Sequence, residues 1–392
     1  MSRSLPDRLH RPHRRRRDHP ARRWWRAASL VLLAGVMSSI IGPSGVTAQT
    51  GDCNDPVTAE TLNEAFADSP DGLVGADYQR TYELPDGRVL WTFQDAYVDG
   101  AGGPTLVHNA AMIQTGSCFE LLHGGTESSP EAWVGADTTD PFDRWYWPLD
   151  GYVADDDTLV LYFAELAERS SGYLERTEPV ATWMVEVDLA TMAVGPMERA
   201  PNPSEELYGF SVTTDDDHVY LYAQCHRQFG FTDFGHDLCG GDVFVARQPL
   251  DAPPSYPLEY WTGDGWSRNS SLAVNVAPDM KIDGSERVIN PMQIERHGDR
   301  WVAVTNVGDW WTDEIYYDVA PSPEGPWTTV SVESMPSGDE EIANYFASLV
   351  PTDIGWAVAV SHNRWDGALS SDYRPRFVPI DDLPTLPGQR SR

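Results

Sequence analysis

Lysine is almost missing from this chain. Of 28 basic residues only Lys281 is a lysine, and they face 60 acidic residues. Ten arginines fall within residues 1–26, so beyond residue 48 about 18 basic residues stand against 58 acidic ones, a net charge of about −40. A surface of that sign repels phosphate backbones and anionic bilayers, so neither nucleic acid nor a membrane surface is expected as a partner. A neutral substrate, or a salty medium, suits it better. There is no Gly-x-x-x-x-Gly-Lys loop, no Gly-x-Ser-x-Gly elbow and no His-Glu-x-x-His pair, so nucleotide, esterase and zinc-protease chemistry lack their usual carriers. Helical periodicity is lacking almost everywhere; "TAETLNEAFAD" is the one ambiguous stretch. No Gly/Ser tract and no long charge block interrupts residues 55–380, so a single assembly is expected there.

One long apolar run, "AASLVLLAGVMSSII", follows the basic start, and Val46, Thr47 and Ala48 offer small residues for cleavage. Residues 1–48 therefore read as a signal peptide and the protein as secreted, the alternative being an uncleaved anchor. Four cysteines in an exported chain imply two disulfides. Of three possible pairings, Cys53–Cys118 and Cys225–Cys239 are favoured. Their spacing has no zinc-site character, and neither a metal nor a cofactor is expected.

What the chain does have is a recurring hairpin. "GADYQRTYELPDGRVLWTFQDAYV" at residues 75–98 returns in form at 148–166, 208–226, 290–308 and 344–363. Each is a short strand, a polar turn and a second strand of alternating β-formers. Val89, Leu159, Val219, Trp301 and Trp356 align, and further strand candidates lie between the hairpins. Repeated units of about four strands predict an all-β fold, a five-bladed β-propeller with four-stranded antiparallel blades. The expected layout is a signal peptide at 1–48, a bracing segment at 49–70, the propeller at 71–382 and a flexible tail at 383–392. The triple aspartates at 155–157 and 215–217 are read as solvated turns.

In such a ring the start of each first strand and the end of each second strand share one face. Asp77 and Asp95 hold those positions in the first hairpin. Trp147, Asp150 and Glu165 hold them in the second, and Tyr208, Gln224 and His226 in the third. Asn290 and Asn306 follow in the fourth, then Asn344, His362 and Asn363 in the fifth. Carboxylates among aromatics, amides and imidazoles fit glycoside hydrolysis, which needs one protonated and one ionised acid at a sugar ring. Crowding like charges in a partly dry cleft supplies both states. Asp77, Asp95 and Glu165 are the candidate catalytic groups. Asn109, Trp147, Asp150, Tyr208, His226, Asn290, Asn306, Asn344, His362 and Asn363 are the candidate substrate contacts. Other readings stand beside these: Asp77 as a loop cap, Asp95 as a turn residue, Glu165 as a solvated strand end, His226 as a loop residue beside Cys225. His108 and Asn109 are placed further back from the reacting groups, and Trp310-Trp311 is either a sugar platform or core.

"LPDGRVLWTFQDAYV" resembles the "LPDGR-x-LW-x-F-GD" element of the endo-D-arabinanases, glycoside hydrolase family 183, formerly a domain of unknown function. "HNAAMIQ", "VFVARQPL", "YWTGDGW" and "APSPEGPW" resemble its later strands, and the likeness covers roughly residues 70–380. The resemblance implies a five-bladed propeller acting on α-linked D-arabinofuranosyl polysaccharide. It implies Asp77 as base or nucleophile and Asp95 as acid or pKa partner, with Glu165 the alternative acid. Gln94 stands where the family has glycine. A secreted, monomeric hydrolase is the leading expectation; a lectin-like sugar-binding propeller and an acidic protein scaffold are the alternatives.

Overall fold

Three of the five repeated hairpins turn on an aspartate that caps its own backbone. Asp86 accepts from the Arg88 N–H, Asp155 from that of Asp157 and Asp215 from that of Asp217, at 3.1, 2.9 and 2.9 Å. Such self-capping fixes the turn, and the alternating apolar residues on either side then zip into strands. The computed structural model describes residues 53–135, 144–168, 177–202, 206–223, 242–277, 281–282, 285–286, 293–306, 313–335, 342–364, 372–380 and 382–383.

Five antiparallel sheets follow one another along the chain. The first holds Arg80–Glu83, Val89–Phe93, Ala110–Thr115 and Cys118–Leu122; the second holds Arg144–Val153, Thr158–Glu168, Thr177–Asp188 and Glu198–Arg199. The third holds Ser211–Thr214, His218–Ala223, Phe244–Pro249, Glu259–Trp261 and Trp266–Ser267. The fourth holds Gln293–His297, Arg300–Asn306, Glu314–Ala320 and Thr328–Ser334, and the fifth Ile342–Thr352, Gly355–Arg364 and Arg374–Ile380. The expected uniform four-stranded units are thus not what forms: the third sheet has five strands and the fifth three. Three smaller sheets complete the described residues, one of them made of Leu73–Ala76, Ala96–Val98 and Thr105–Val107. All five aligned positions fall at the beginning of the second strand of their sheet, so the hairpin repeat is real.

The first strands of the five sheets touch in a closed cycle, first to second, third, fourth, fifth and back to first. Buried polar side chains stitch the joints. Gln79 donates to the Phe346 carbonyl at 3.1 Å, and Gln94 to the Pro148 carbonyl at 3.0 Å. Asp150 accepts from the Val212 N–H at 2.8 Å, Ser211 from Ile294 at 2.7 Å and Gln293 from Leu349 at 2.6 Å. Inside the cycle Tyr78, Leu149, Tyr208, Phe210, Tyr345 and Phe346 belong to one buried cluster.

The ambiguous N-terminal stretch is a helix, Ala59–Ala67, opened by a capping box between Thr58 and Thr61. It buries Leu62 and Phe66 against the first and fifth sheets; the Phe66 ring lies 5.6 Å from Trp91 and 5.3 Å from Phe377. Burying one such ring is worth about 1.5–3 kcal/mol. Asn63 pairs with both backbone groups of Phe377, donating at 2.8 Å and accepting at 3.0 Å, and so extends the last strand of the chain. Gly75 lets that strand come close: a Cβ there would stand 2.3 Å from the Tyr373 carbonyl oxygen.

Cys53 is bonded to Cys118, as expected, across a separation of 65 residues. The favoured Cys225–Cys239 pair, residues 1–52 and the tail beyond residue 383 lie outside the described residues. Replacing Cys53 and Cys118 together by serine is expected to lower the unfolding free energy by about 2–4 kcal/mol, through the freed entropy of the unfolded loop. Urea titrations of both proteins, followed by tryptophan fluorescence, measure the difference.

Candidate active site

The ladder between Leu73–Glu83 and Val89–Val98 shifts register between Leu73 and Gly75 and opens between Ala76 and Arg80. Ala76 pairs with Ala96 and Arg80 with Thr92, in one continuous register. Residues 77 and 95 therefore stand opposite each other inside the gap. They are not the free ends of a hairpin, as the sequence reading had them, because pairing resumes beyond both. A single backbone bond crosses the gap, from the Gln94 N–H to the Asp77 carbonyl at 3.0 Å.

Tyr78 causes the break. Its φ of 50° is left-handed, which costs a bulky residue about 1–2 kcal/mol. Its surroundings hold it there: the N–H donates to Ser361 Oγ at 2.8 Å, the hydroxyl to the Phe210 carbonyl at 3.3 Å, and the ring meets Phe346 edge-on at 4.8 Å. Phe346 is itself left-handed, with φ 52°. Each strained aromatic directly follows a polar side chain of the gap, Asp77 in one case and Tyr345 in the other. The Tyr345 hydroxyl donates to Asp77 Oδ2 at 2.9 Å.

Asp95 is held from the other side. Ala96 pairs with Val107, so the same register brings residue 108 opposite residue 95. His108 Nδ1 lies 2.8 Å from Asp95 Oδ1, and Trp147 Nε1 donates to that oxygen at 2.8 Å. The Tyr373 hydroxyl donates to the Asp95 carbonyl at 2.8 Å. The His108 ring stacks on Trp145 at 4.8 Å, and Trp145 meets Trp147 edge-on at 6.3 Å. The result is an aromatic wall beside the carboxylate.

The two carboxylates differ in environment. Asp77 is held well above the ordinary carboxylate range, first by burial and then by the Asp95 charge, against the pull of the Tyr345 and Tyr373 hydroxyls. Its Oδ1 is buried and finds no hydrogen-bond partner among the described residues. In turn, burial and the charge of Asp77 hold the Tyr345 phenol well above its usual range.

The remaining candidates scatter. Trp147 reaches the pair. Glu165 is opposite Tyr146, one position out of phase with Trp147, and its oxygens take bonds from Arg144 and, at 2.7 Å, from Trp183 Nε1. Asp150 is committed to backbone: Oδ1 accepts from Gly151 and Oδ2 from Val212, both at 2.8 Å. Asn109 is spent likewise on Val134 and on the Tyr146 carbonyl. Tyr208 is 1% exposed and packs edge-on against Tyr260 at 5.3 Å. Asn344 bonds His362 Nδ1 at 2.8 Å and the Met335 carbonyl at 2.6 Å. Burial lowers the pKa of His362, helped by Arg376. Asn363 accepts from the Arg364 N–H at 2.7 Å and also meets the Tyr345 hydroxyl. Asn306 ends its strand, with its side chain outside the described set. Gln224, His226, Asn290 and Trp310-Trp311 fall outside the described residues.

Sequence reasoning missed Tyr345 and Tyr373, and it set His108 too far back. A signal for His108 existed: Thr105–Val107 is a short strand spaced to return antiparallel along Ala96–Val98.

A raised carboxyl pKa in the folded state binds its proton more tightly than the unfolded chain does. That stabilisation is complete below about pH 4, the unfolded value, and is lost as pH rises through the folded one. Asp77→Asn removes the titration. Its melting point is expected above that of wild type at pH 7–8, by about 1–2 kcal/mol in stability. The gap should close towards pH 4, as read by differential scanning calorimetry across that range.

Solved structures similar to this chain exist. A Bacteroides ovatus protein, provisionally described as a hydrolase, shares 18% identity over 81% of this chain and 88% of its own, with a TM-score of 0.61. A family 43 glycoside hydrolase from Xanthomonas citri shares 16% over 80% and 91%, with a TM-score of 0.45. A family 43 endo-arabinanase from Bacillus licheniformis shares 9% over 79% and 94%, with a TM-score of 0.41. At 18% identity the first of these establishes a shared fold and nothing finer. No curated protein matches the sequence. Residues 60–352 match a family described as a domain of unknown function, and on that match this chain belongs to the DUF5005 family.

Proposed function

We propose that the chain is an exported glycoside hydrolase built as a five-bladed propeller, with Asp77 and Asp95 as its two catalytic carboxylates. One observation carries this reading. Two acids face each other in a gap between two stretches of strand pairing that share one register, and their surroundings differ. Burial favours the protonated form of Asp77, while Asp95 Oδ1 accepts from the indole N–H of Trp147 and lies 2.8 Å from His108 Nδ1. Glycoside hydrolysis needs an acid for the leaving oxygen and a base or nucleophile for the opposite side of the sugar, and a facing pair of carboxyl groups offers both.

This allocation reverses the roles first implied by resemblance. There Asp77 was base or nucleophile; its burial suits it better to the acid. Glu165, with its oxygens engaged by Arg144 and Trp183, has no step in this scheme. The wall of His108, Trp145 and Trp147 offers flat faces to a sugar ring. The strongly acidic surface favours an uncharged polysaccharide. Together with the likeness of the "LPDGR" element, these features support endo-acting hydrolysis of α-linked D-arabinofuranosyl chains by a secreted monomer.

The test is incubation of the purified protein with arabinan and chromatography of released oligosaccharides. Wild type should liberate short chains. Asp77→Asn and Asp95→Asn should each lower kcat by about 10²–10⁴-fold with polymer binding retained. Binding without any release by wild type would instead make the ring a sugar receptor, and absence of both would overturn the carbohydrate reading altogether.

A further inference from the structure

A fully buried arginine inside the ring turns its gripping edge to no acceptor among the described residues. Arg80 opens the first strand of the first sheet and is 0% exposed. Its Nη1 donates to the Gln79 carbonyl at 3.2 Å, and its guanidinium lies 4.4 Å from the centre of the Tyr78 ring. Nε and Nη2 are buried and find no acceptor among the described residues. Nε–H and one Nη2–H run parallel along a single edge of the planar group, the edge that grips carboxylates and phosphates through two bonds at once. What is unsatisfied is therefore one whole fork, on one side of a cation.

The counter-charge is also incomplete. Asp150 is the carboxylate that acts on Arg80, yet Gly151, Tyr82 and Val212 already bond to its oxygens. Burial pushes Asp150 up to about 6, against the opposing pull of Arg80, so in mildly acidic medium the guanidinium loses even that distant charge. The other groups near it are the phenols of Tyr78 and Tyr82, both kept neutral by burial, and Glu295 of the fourth sheet, which acts on Asp150. A buried charge without a partner costs several kcal/mol. A fold that keeps one needs something to meet it.

We propose that the fork of Arg80 holds a small inorganic anion, a halide such as chloride, as a structural counter-ion within the ring. The occupant must be small, because Arg80 and Tyr78 are both completely buried. It must be monovalent, because Asp150 and Glu295 would repel a higher charge. The ion braces the guanidinium on which the Tyr78 ring rests, and Tyr78 is the strained neighbour of Asp77.

Crystals of the wild-type protein grown in sodium bromide at pH 5 test this directly. The expected result is an anomalous bromide peak within hydrogen-bond reach of both Nε and Nη2 of Arg80. Ordered water on both donors, with no halide there, overturns the proposal. In solution, raising chloride from about 5 to about 500 mM at constant ionic strength, balanced with gluconate, should raise the melting point by about 2–4 °C. The rise should be larger at pH 5 than at pH 7.5. An unchanged midpoint at both pH values also overturns it. Arg80→Met, which keeps the stem and removes the fork, should lose the chloride response. Removing a buried arginine can by itself unfold the chain, so the bromide experiment on wild type decides the matter without the variant.

Discussion

Everything in this molecule depends on how five strand edges are satisfied around one hollow. The first strand of each sheet has a ladder on one side only. Its other edge lies beside the neighbouring first strand without pairing to it, and a buried backbone polar group left without a partner is costly. Side chains fill that role. Gln79, Asp150, Ser211 and Gln293 each reach the backbone of the next first strand, at Phe346, Val212, Ile294 and Leu349. These bonds set the heights of the five strands relative to one another. Only then do residues from the first, second and fifth sheets converge on Asp77 and Asp95.

That requirement explains which parts of the molecule could be read from the sequence. The hairpin repeat was legible because period-two alternation and self-capping aspartates are local signals. The helix at Ala59–Ala67 was half-legible, its capping box resting on a Thr/Thr pair where a Glu or Gln is more usual. The pairing of Cys53 with Cys118 was legible from the order of the chain. The candidate site was readable only in outline. Asp77 and Asp95 stood out because they bracket an apolar hairpin, but Asp150 and Asn344 stood out at the matching positions, and Asp150 turned out to serve backbone while Asn344 is shared between His362 and the Met335 carbonyl. A buried amide or carboxylate beside a ring axis looks the same in sequence whether it meets a sugar hydroxyl or a peptide N–H. Tyr345 and Tyr373 were invisible for another reason: they come from the last sheet, and nothing local marks them as neighbours of the first.

The gap itself is an example of local disfavour sustained by global packing. Two aromatic residues sit in left-handed backbone, and a carboxyl group is buried with one oxygen unmatched. Each of these is unfavourable alone. They persist because Tyr78 and Phe346 lock each other and because Ser361 and the Phe210 carbonyl pin Tyr78 from two further sheets. Local rules fail in this chain at the gap between Asp77 and Asp95, and functional sites are where such failures are expected to gather.

The chain ends carry a further consequence. Tyr345 and Tyr373, which steady the two aspartates, are made long after them. The strand that seats Tyr373 is completed by Asn63, near the beginning, through the Phe377 backbone. A ribosome must therefore pass residue 377 before the acidic pair is framed. Chains cut short upstream of residue 373 would carry both aspartates yet lack the hydroxyl that holds Asp95.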